Sequence, residues 1–181
     1  MGEIHQVQWV KPVCAITYGG CMPLESIIRQ VESICGKLDL QSEIIDFSFT
    51  NYYAEEMGEK LLKVYCTFQA LMHPAKLPEM KLQTNVLEQQ WLKDGKRQVN
   101  LDPGYVTSAK MVLASTKDFA HRLYLSDGIY GDVQLICSGG SYQTVAWTYP
   151  DYQNNTVLAF FNKIRKLYIK QKEEHDFKNE L

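Results

Sequence analysis

The chain predicts a single α+β domain, and three observations carry that prediction. Its first hundred residues alternate strand-patterned and helix-patterned runs in the order βαββαβ. Glycine or proline stands at the ends of most of these runs, where regular structure stops or turns. Apolar residues make up 45% of the 181 positions and charged ones 22%, the balance of a chain that buries a core. A chain of this length suits one core better than two.

Residues 10–18, VKPVCAITY, form a nearly unbroken apolar run and predict a buried strand, with Pro12 near its start, where a missing N–H is tolerated. Gly19-Gly20 break the run, and Pro23 suits the first turn of a helix. Leu24, Ile27, Ile28, Val31, Ile34 and Cys35 follow at helical spacing until Gly36. Alternation of Ile45, Phe47 and Phe49 predicts a half-buried strand. TNYYAEEMG then reads as a short helix or ordered loop capped by Thr50 or Asn51. Its Tyr52 and Tyr53 are packing residues on the simpler reading and ligand contacts on the other. Val64, Cys66, Phe68 and Ala70 mark a third strand that ends at His73-Pro74. A helix from about Pro78 puts Met80, Thr84, Leu87 and Trp91 on one face, with Gly95 as its stop. Gln98–Leu101 is the fourth strand.

Two crossovers around a central hairpin are what a ferredoxin-like split βαβ requires: four antiparallel strands with two helices on one face. The core is therefore expected over residues 10–101. Residues 102–172 are expected to add a helix, a hairpin and a C-terminal helix that cover the open face or extend the sheet. Asp102-Pro103-Gly104 reads as a turn, and Thr107 as the cap of a short helix over 108–115. HRLYL, the turn SDG and IYGDVQLIC predict a β-hairpin, and Ser138-Gly139-Gly140-Ser141 another turn. The last helix carries Val157, Phe160, Phe161, Ile164, Leu167 and Tyr168 at 3-4 spacing, capped by Asn154 or Asn155. Residues 173–181 are expected to fray.

A net charge of −2 argues against wholesale attraction to nucleic acid or an anionic membrane. No apolar run approaches the ~20 residues of a membrane span. The N-terminal stretch lacks the order of a signal peptide, and Gln6 stands where a myristoylation signal needs Ser or Thr. A cytoplasmic setting is expected. Cys14, Cys21, Cys35, Cys66 and Cys137 share no metal-binding spacing and read as reduced thiols in apolar runs, with Cys21 in the loop GGCMP the exposed one.

Chemistry concentrates in Val99–Tyr130, which carries Asn100, Asp102, Tyr105, Lys110, Lys117, Asp118, His121, Arg122 and Tyr124. If a helix opens after Asp102, its N-terminus attracts an anion, and Gly104 lets a phosphate approach the backbone. Asp102 would then hold a bridging magnesium, since carboxylate plus phosphate oxygens is the usual ligand set for that ion. Lys110, Lys117 and Arg122 add positive charge, Arg122 in bidentate geometry. His121 is the general acid/base candidate, with Asp118 three residues earlier to orient it. On a strand, adjacent His121 and Arg122 would point to opposite faces, which counts against a shared pocket. Without a ligand, the same residues read as caps and salt bridges around a turn. TYPDY (148–152) reads as a staple for the last helix or as an aromatic binding wall.

The segments KPV, DFSFTNYYAEEMG, KLQTN, RQVNLDPGY, KMVLASTKDFAHRLYL, GIYGDV and WTYPDY resemble an uncharacterised bacterial family of about 180 residues. It is a domain of unknown function, sometimes labelled GTP-binding protein. The resemblance implies that Asn100, Asp102, Tyr105, Lys110, Lys117, Asp118, His121 and Arg122 are motif positions. GTPase chemistry itself is not expected: the pattern GxxxxGK[ST] is absent, and Thr116-Lys117 is followed by Asp118 and Phe119 where a guanine site needs Asp in the second place. The expected function is binding, with turnover as an option, of a phosphorylated small molecule or nucleotide at the NLDPGY and STKDFAHR segments. If the protein is an enzyme, phosphoryl or nucleotidyl transfer is the expected class, with Asp102 and Asp118 serving His121 and with Gly104, Tyr105 and Tyr124 lining the ligand. The alternative is a non-catalytic protein- or RNA-interaction module with a tyrosine-rich surface.

Overall fold

The structure, a computed structural model, describes residues 2–47, 57 and 60–179, with side chains through residue 175. Strand β1 (Lys11–Gly19) leads into helix α1 (Leu24–Cys35). Next come β2 (Leu38–Gln41), β3 (Ile45–Asp46) and β4 (Leu61–Phe68). Helix α2 (Leu77–Glu88) and a small hairpin, β5 (Leu92–Lys93) and β6 (Lys96–Arg97), precede β7 (Val99–Val106). The remainder is β8 (Lys110–Ser115), β9 (Arg122–Ser126), β10 (Ile129–Ser138), β11 (Ser141–Thr144) and helix α3 (Asn155–Asn179). The predicted helix or loop after Phe49, with Tyr52 and Tyr53, lies outside the described residues apart from Met57.

One large antiparallel sheet runs β11-β10-β8-β7-β1-β4-β2, with β3 added to β4 and β9 to β10. Its first face packs Cys14, Ile16, Val64, Phe68 and Leu101 against Ile27 and Val31 of α1 and Met80 and Leu87 of α2. Its second face packs Val13, Ala15, Tyr65, Leu113 and Leu135 against Tyr152 and, from α3, Val157, Phe161, Ile164 and Tyr168. Both faces of β1 are therefore covered, which is why its sequence is apolar at nearly every position rather than alternating. The C-terminal segment covers the open face with α3 and also extends the sheet with β8–β11. Helix α3 continues to Asn179, through the stretch expected to fray, and Asn154 Oδ1 caps it by accepting from Thr156 N at 2.8 Å. Among the described residues no helix is long and apolar enough to cross a membrane.

Three local expectations are corrected. Asp102-Pro103-Gly104 is not a turn; it lies inside β7, paired with Ala15, Cys14 and Val13 of β1. Leu101 turns its N–H and C=O away from β1, and strand alternation sends the Pro103 nitrogen the same way. Pairing with β8 begins only at Gly104, so no ladder bond is lost at the proline. The helix expected over 108–115 is β8: four consecutive apolar residues, Met111 to Ala114, are buried on alternating faces between β7 and β10. Thr107 caps a tight strand–strand turn instead, its Oγ1 accepting from Ala109 N and Lys110 N. Gly95, expected to stop α2, sits with Asp94 at the tip of the β5–β6 hairpin, both at positive φ.

Candidate functional site

Register places Lys63, Thr17 and Asn100 side by side across β4, β1 and β7, with Tyr65, Ala15 and Asp102 as the next row. Paired residues of an antiparallel sheet share a face, and this is the face that α3 covers. Lys63 Nζ lies 2.8 Å from Asp151 Oδ2, both side chains being about 95% buried. The Tyr65 hydroxyl donates to the same oxygen at 2.6 Å. Burial, then the Asp151 charge, pushes the Tyr65 hydroxyl far above its ordinary pKa. Beside them, Thr17 Oγ1 and the Tyr152 hydroxyl are buried without a hydrogen-bond partner among the described residues.

Asp102 is held from two sides. Asn100 Nδ2 donates to Oδ2 at 2.8 Å, and Lys81 Nζ lies 3.1 Å from Oδ1. Burial works against the charged carboxylate, but Lys81, Lys63 and these hydrogen bonds outweigh it and hold Asp102 below the ordinary carboxylate pKa. Lys81 also donates to Leu101 O at 2.7 Å, while Glu88 Oε1 accepts from Leu101 N at 2.7 Å. Spaced seven residues apart on one face of α2, Lys81 and Glu88 thus satisfy the backbone of β7 where β8 has not yet joined it. Arg97 Nη1 completes the set, 3.2 Å from both Glu88 Oε2 and Asn100 Oδ1.

A second network centres on Asp132, which is fully buried. Arg122 Nε donates to Asp132 Oδ2 at 2.7 Å and Gln134 Nε2 to Oδ1 at 2.7 Å. The other guanidinium nitrogens reach Ser115 Oγ, Lys117 O and the Tyr149 hydroxyl. Tyr149 in turn donates to Asp132 Oδ2 at 3.2 Å, and burial followed by the Asp132 charge raises its pKa strongly. His121 stacks on Trp147 with ring centroids 5.2 Å apart. Its Nε2 is buried, lacks a hydrogen bond and stands 3.7 Å from Asp132 Oδ1.

The structure therefore joins Asn100 to Asp102, and His121 to Arg122. His121 lies in the turn before β9 rather than on the strand, so both side chains approach Asp132. Register through Gly104, Leu113 and Asp132 to Arg122 puts the two networks on one face of the sheet. They remain separate sets of ion pairs.

Other sequence-derived candidates are placed differently. A Cβ on Gly104 would stand 2.3 Å from Val112 O, so this glycine admits the β8 backbone, not a phosphate. Tyr105 alternates to the opposite face, packing near Leu77 and Val112. Lys110 begins β8 at the end remote from Ser115, exposed, and no helix places it near Asp102. Lys117 meets Arg122 through its carbonyl. Asp118 is exposed, and the carboxylate beside His121 is Asp132. Tyr124 is 62% exposed on β9, edge-on to Tyr130. The anion-attracting helix N-terminus does not exist. Both Asp102 oxygens are engaged by Lys81 and Asn100, and no group of three or more His, Cys, Asp or Glu suited to a metal occurs among the described residues. These residues do not fit a magnesium site.

Sequence reasoning missed Lys63, Lys81, Glu88, Asp132 and Gln134. Asp132 and Gln134 alternate with Val133 and Leu135, a pattern that reads as a solvated strand face. No curated protein matches the chain, and no solved structure does. The family model described as Domain of unknown function (DUF4416) matches residues 8–168, most of the chain, so the chain belongs to that family.

Proposed function

We propose that this protein binds a phosphorylated small molecule of the nucleotide class on the α3-covered face of its sheet. The residues meeting it are Thr17, Lys63, Asn100 and Asp102, with Tyr149 and Tyr152 beside them and the Arg122–His121 pair further along. The supporting observation is that, among the described residues, three buried polar atoms lack a hydrogen-bond partner: Thr17 Oγ1, Tyr152 OH and His121 Nε2. An unpaired buried polar group costs roughly 1–3 kcal/mol, so a fold that keeps three gains when a polar ligand supplies the missing bonds. His121 is the group positioned to move a proton, with Asp132 to balance imidazolium charge.

The strand order β7-β1-β4-β2, antiparallel throughout, supports reading the core as ferredoxin-like. Five cysteines without a disulfide support a cytoplasmic setting. Thermal unfolding with nucleotides and sugar phosphates tests the proposal. A ligand at ~100 times its Kd stabilises by about 2.7 kcal/mol, a rise of roughly 5–10 °C for a domain this size. No rise with any compound in the panel overturns it.

A second reading, an interaction module, rests on the exposed run Leu123, Tyr124, Leu125 of β9 with Phe119 nearby. Recovery of a defined partner that Leu123→Asp abolishes, with no ligand-induced shift, would favour that reading.

A further inference from the structure

A cleft of about 580 Å³ opens where β1 ends in Gly19-Gly20, against Lys60 ahead of β4 and the β5–β6 hairpin. That volume falls within the usual small-molecule range of ~300–1,000 Å³. Its described lining includes Trp91, Met22 and Leu92 as apolar surface, Gln98 as a polar group, and Lys60 and Lys93 as charges. No carboxylate occurs among those described residues. Both lysines are exposed, and among the described residues neither ammonium group makes an ion pair or hydrogen bond, Lys60 bonding only through its carbonyl, to Gly20 N. That sets them apart from Lys11, Lys63, Lys81, Arg97 and Arg122, each of which stands against a carboxylate. In a chain of net charge −2, this sets two ammonium-bearing side chains beside an aromatic surface.

We infer that this cleft is a binding site for a small aromatic phosphate, its ring against Trp91 and Met22 and its phosphate spanned by Lys60 and Lys93. A flat ring gains stacking and apolar burial on indole and thioether. Two ammonium groups with no carboxylate partner among the described residues favour a doubly charged anion. Gln98 spends its amide donors on Lys96 O and Arg97 O, which holds the side chain in place and leaves its Oε1 as an acceptor toward the cleft it lines. The cleft shares no lining residue with the Asp102 and Asp132 networks, and its test is independent of them.

Cys21 lines the cleft and is exposed, whereas Cys14, Cys35 and Cys66 are buried and Cys137 is half-buried. Its alkylation by a neutral maleimide therefore reports occupancy. AMP is expected to slow Cys21 labelling and to change Trp91 fluorescence, a signal identified by its loss in Trp91→Phe. Adenosine and ribose 5-phosphate, each lacking half of the recognised chemistry, are expected to act roughly tenfold more weakly or worse. Lys60→Met with Lys93→Met should weaken AMP by roughly tenfold or more, and added salt should weaken it in the parent chain. Thr17→Val, on the sheet face, should leave these signals intact, which separates failure here from failure of the proposed function. The inference is overturned if millimolar AMP leaves Cys21 labelling unchanged, or if protection persists unchanged in the double lysine variant.

Discussion

Arg122 Nε donates to Asp132 Oδ2 at 2.7 Å, and the two side chains are 2% and 0% exposed. Removing one partner of a buried pair strands the other's charge, at a cost of about 3–5 kcal/mol. Arg122→Met is expected to lower the melting temperature by roughly 6–20 °C. Arg122→Met combined with Asp132→Leu should recover much of the loss, because no charge is then left unpaired. A single variant as stable as the parent would show that the pair contributes nothing.

Lys81 links α2 to Asp102, and that link sets an acid limit on stability. Asp102 is depressed below its ordinary value of 3.8, chiefly by Lys81 and Lys63 acting against burial. A carboxyl depressed on folding stabilises the fold above its unfolded pKa, and the contribution drains as pH falls through the folded value. Asp102's share is thus constant near neutrality and is lost below about pH 3.8. Lys81→Met is expected to bring acid unfolding on at higher pH. Urea midpoints from pH 2 to 7 would show it, and identical acid limbs for the two proteins would refute it.

Glu88 supplies the acceptor for Leu101 N that a neighbouring strand would otherwise provide. Glu88→Leu is expected to cost about 1–3 kcal/mol and to speed exchange of the Leu101 amide. Glu88→Gln keeps an acceptor and should preserve that protection. Equal exchange in both variants would mean that the side chain does not stand in for a strand.

Gly104→Ala forces a Cβ to within 2.3 Å of Val112 O, so β7 and β8 must part. A loss of roughly 1–3 kcal/mol or more is expected in urea unfolding. Gly131→Ala is the control, since its nearest contact would be an ordinary 3.5 Å to Leu125.

Much of the fold was legible because each strong pattern matched one burying surface. Val157, Phe161, Ile164 and Tyr168 declared α3, and the Asp127-Gly128 turn declared the β9–β10 hairpin. Asp102-Pro103-Gly104 misled because its local chemistry favours a turn, while the open edge beside Pro103 is a tertiary fact. Met111–Ala114 misled because a short apolar run lacks period, and burial between two strands decides it. For the site, residue types near His121 drew notice, but its carboxylate partner, Asp132, sits on another strand. Nothing local marks Lys63 on β4, because α3 and Asp151, far downstream, are what bury it.

The most direct test of ligand binding on the sheet face is Thr17→Val, which removes a partnerless hydroxyl and keeps the shape. With no ligand present, the variant is expected to melt as high as the parent or higher, since an unpaired buried hydroxyl has been deleted. With the cleft beside Trp91 disabled by Lys60→Met and Lys93→Met, the rise that an active nucleotide or sugar phosphate gives should shrink once Thr17→Val is added. An unliganded variant that melts clearly lower, or one that keeps the full ligand-induced rise, would contradict the assignment of this face as the binding site.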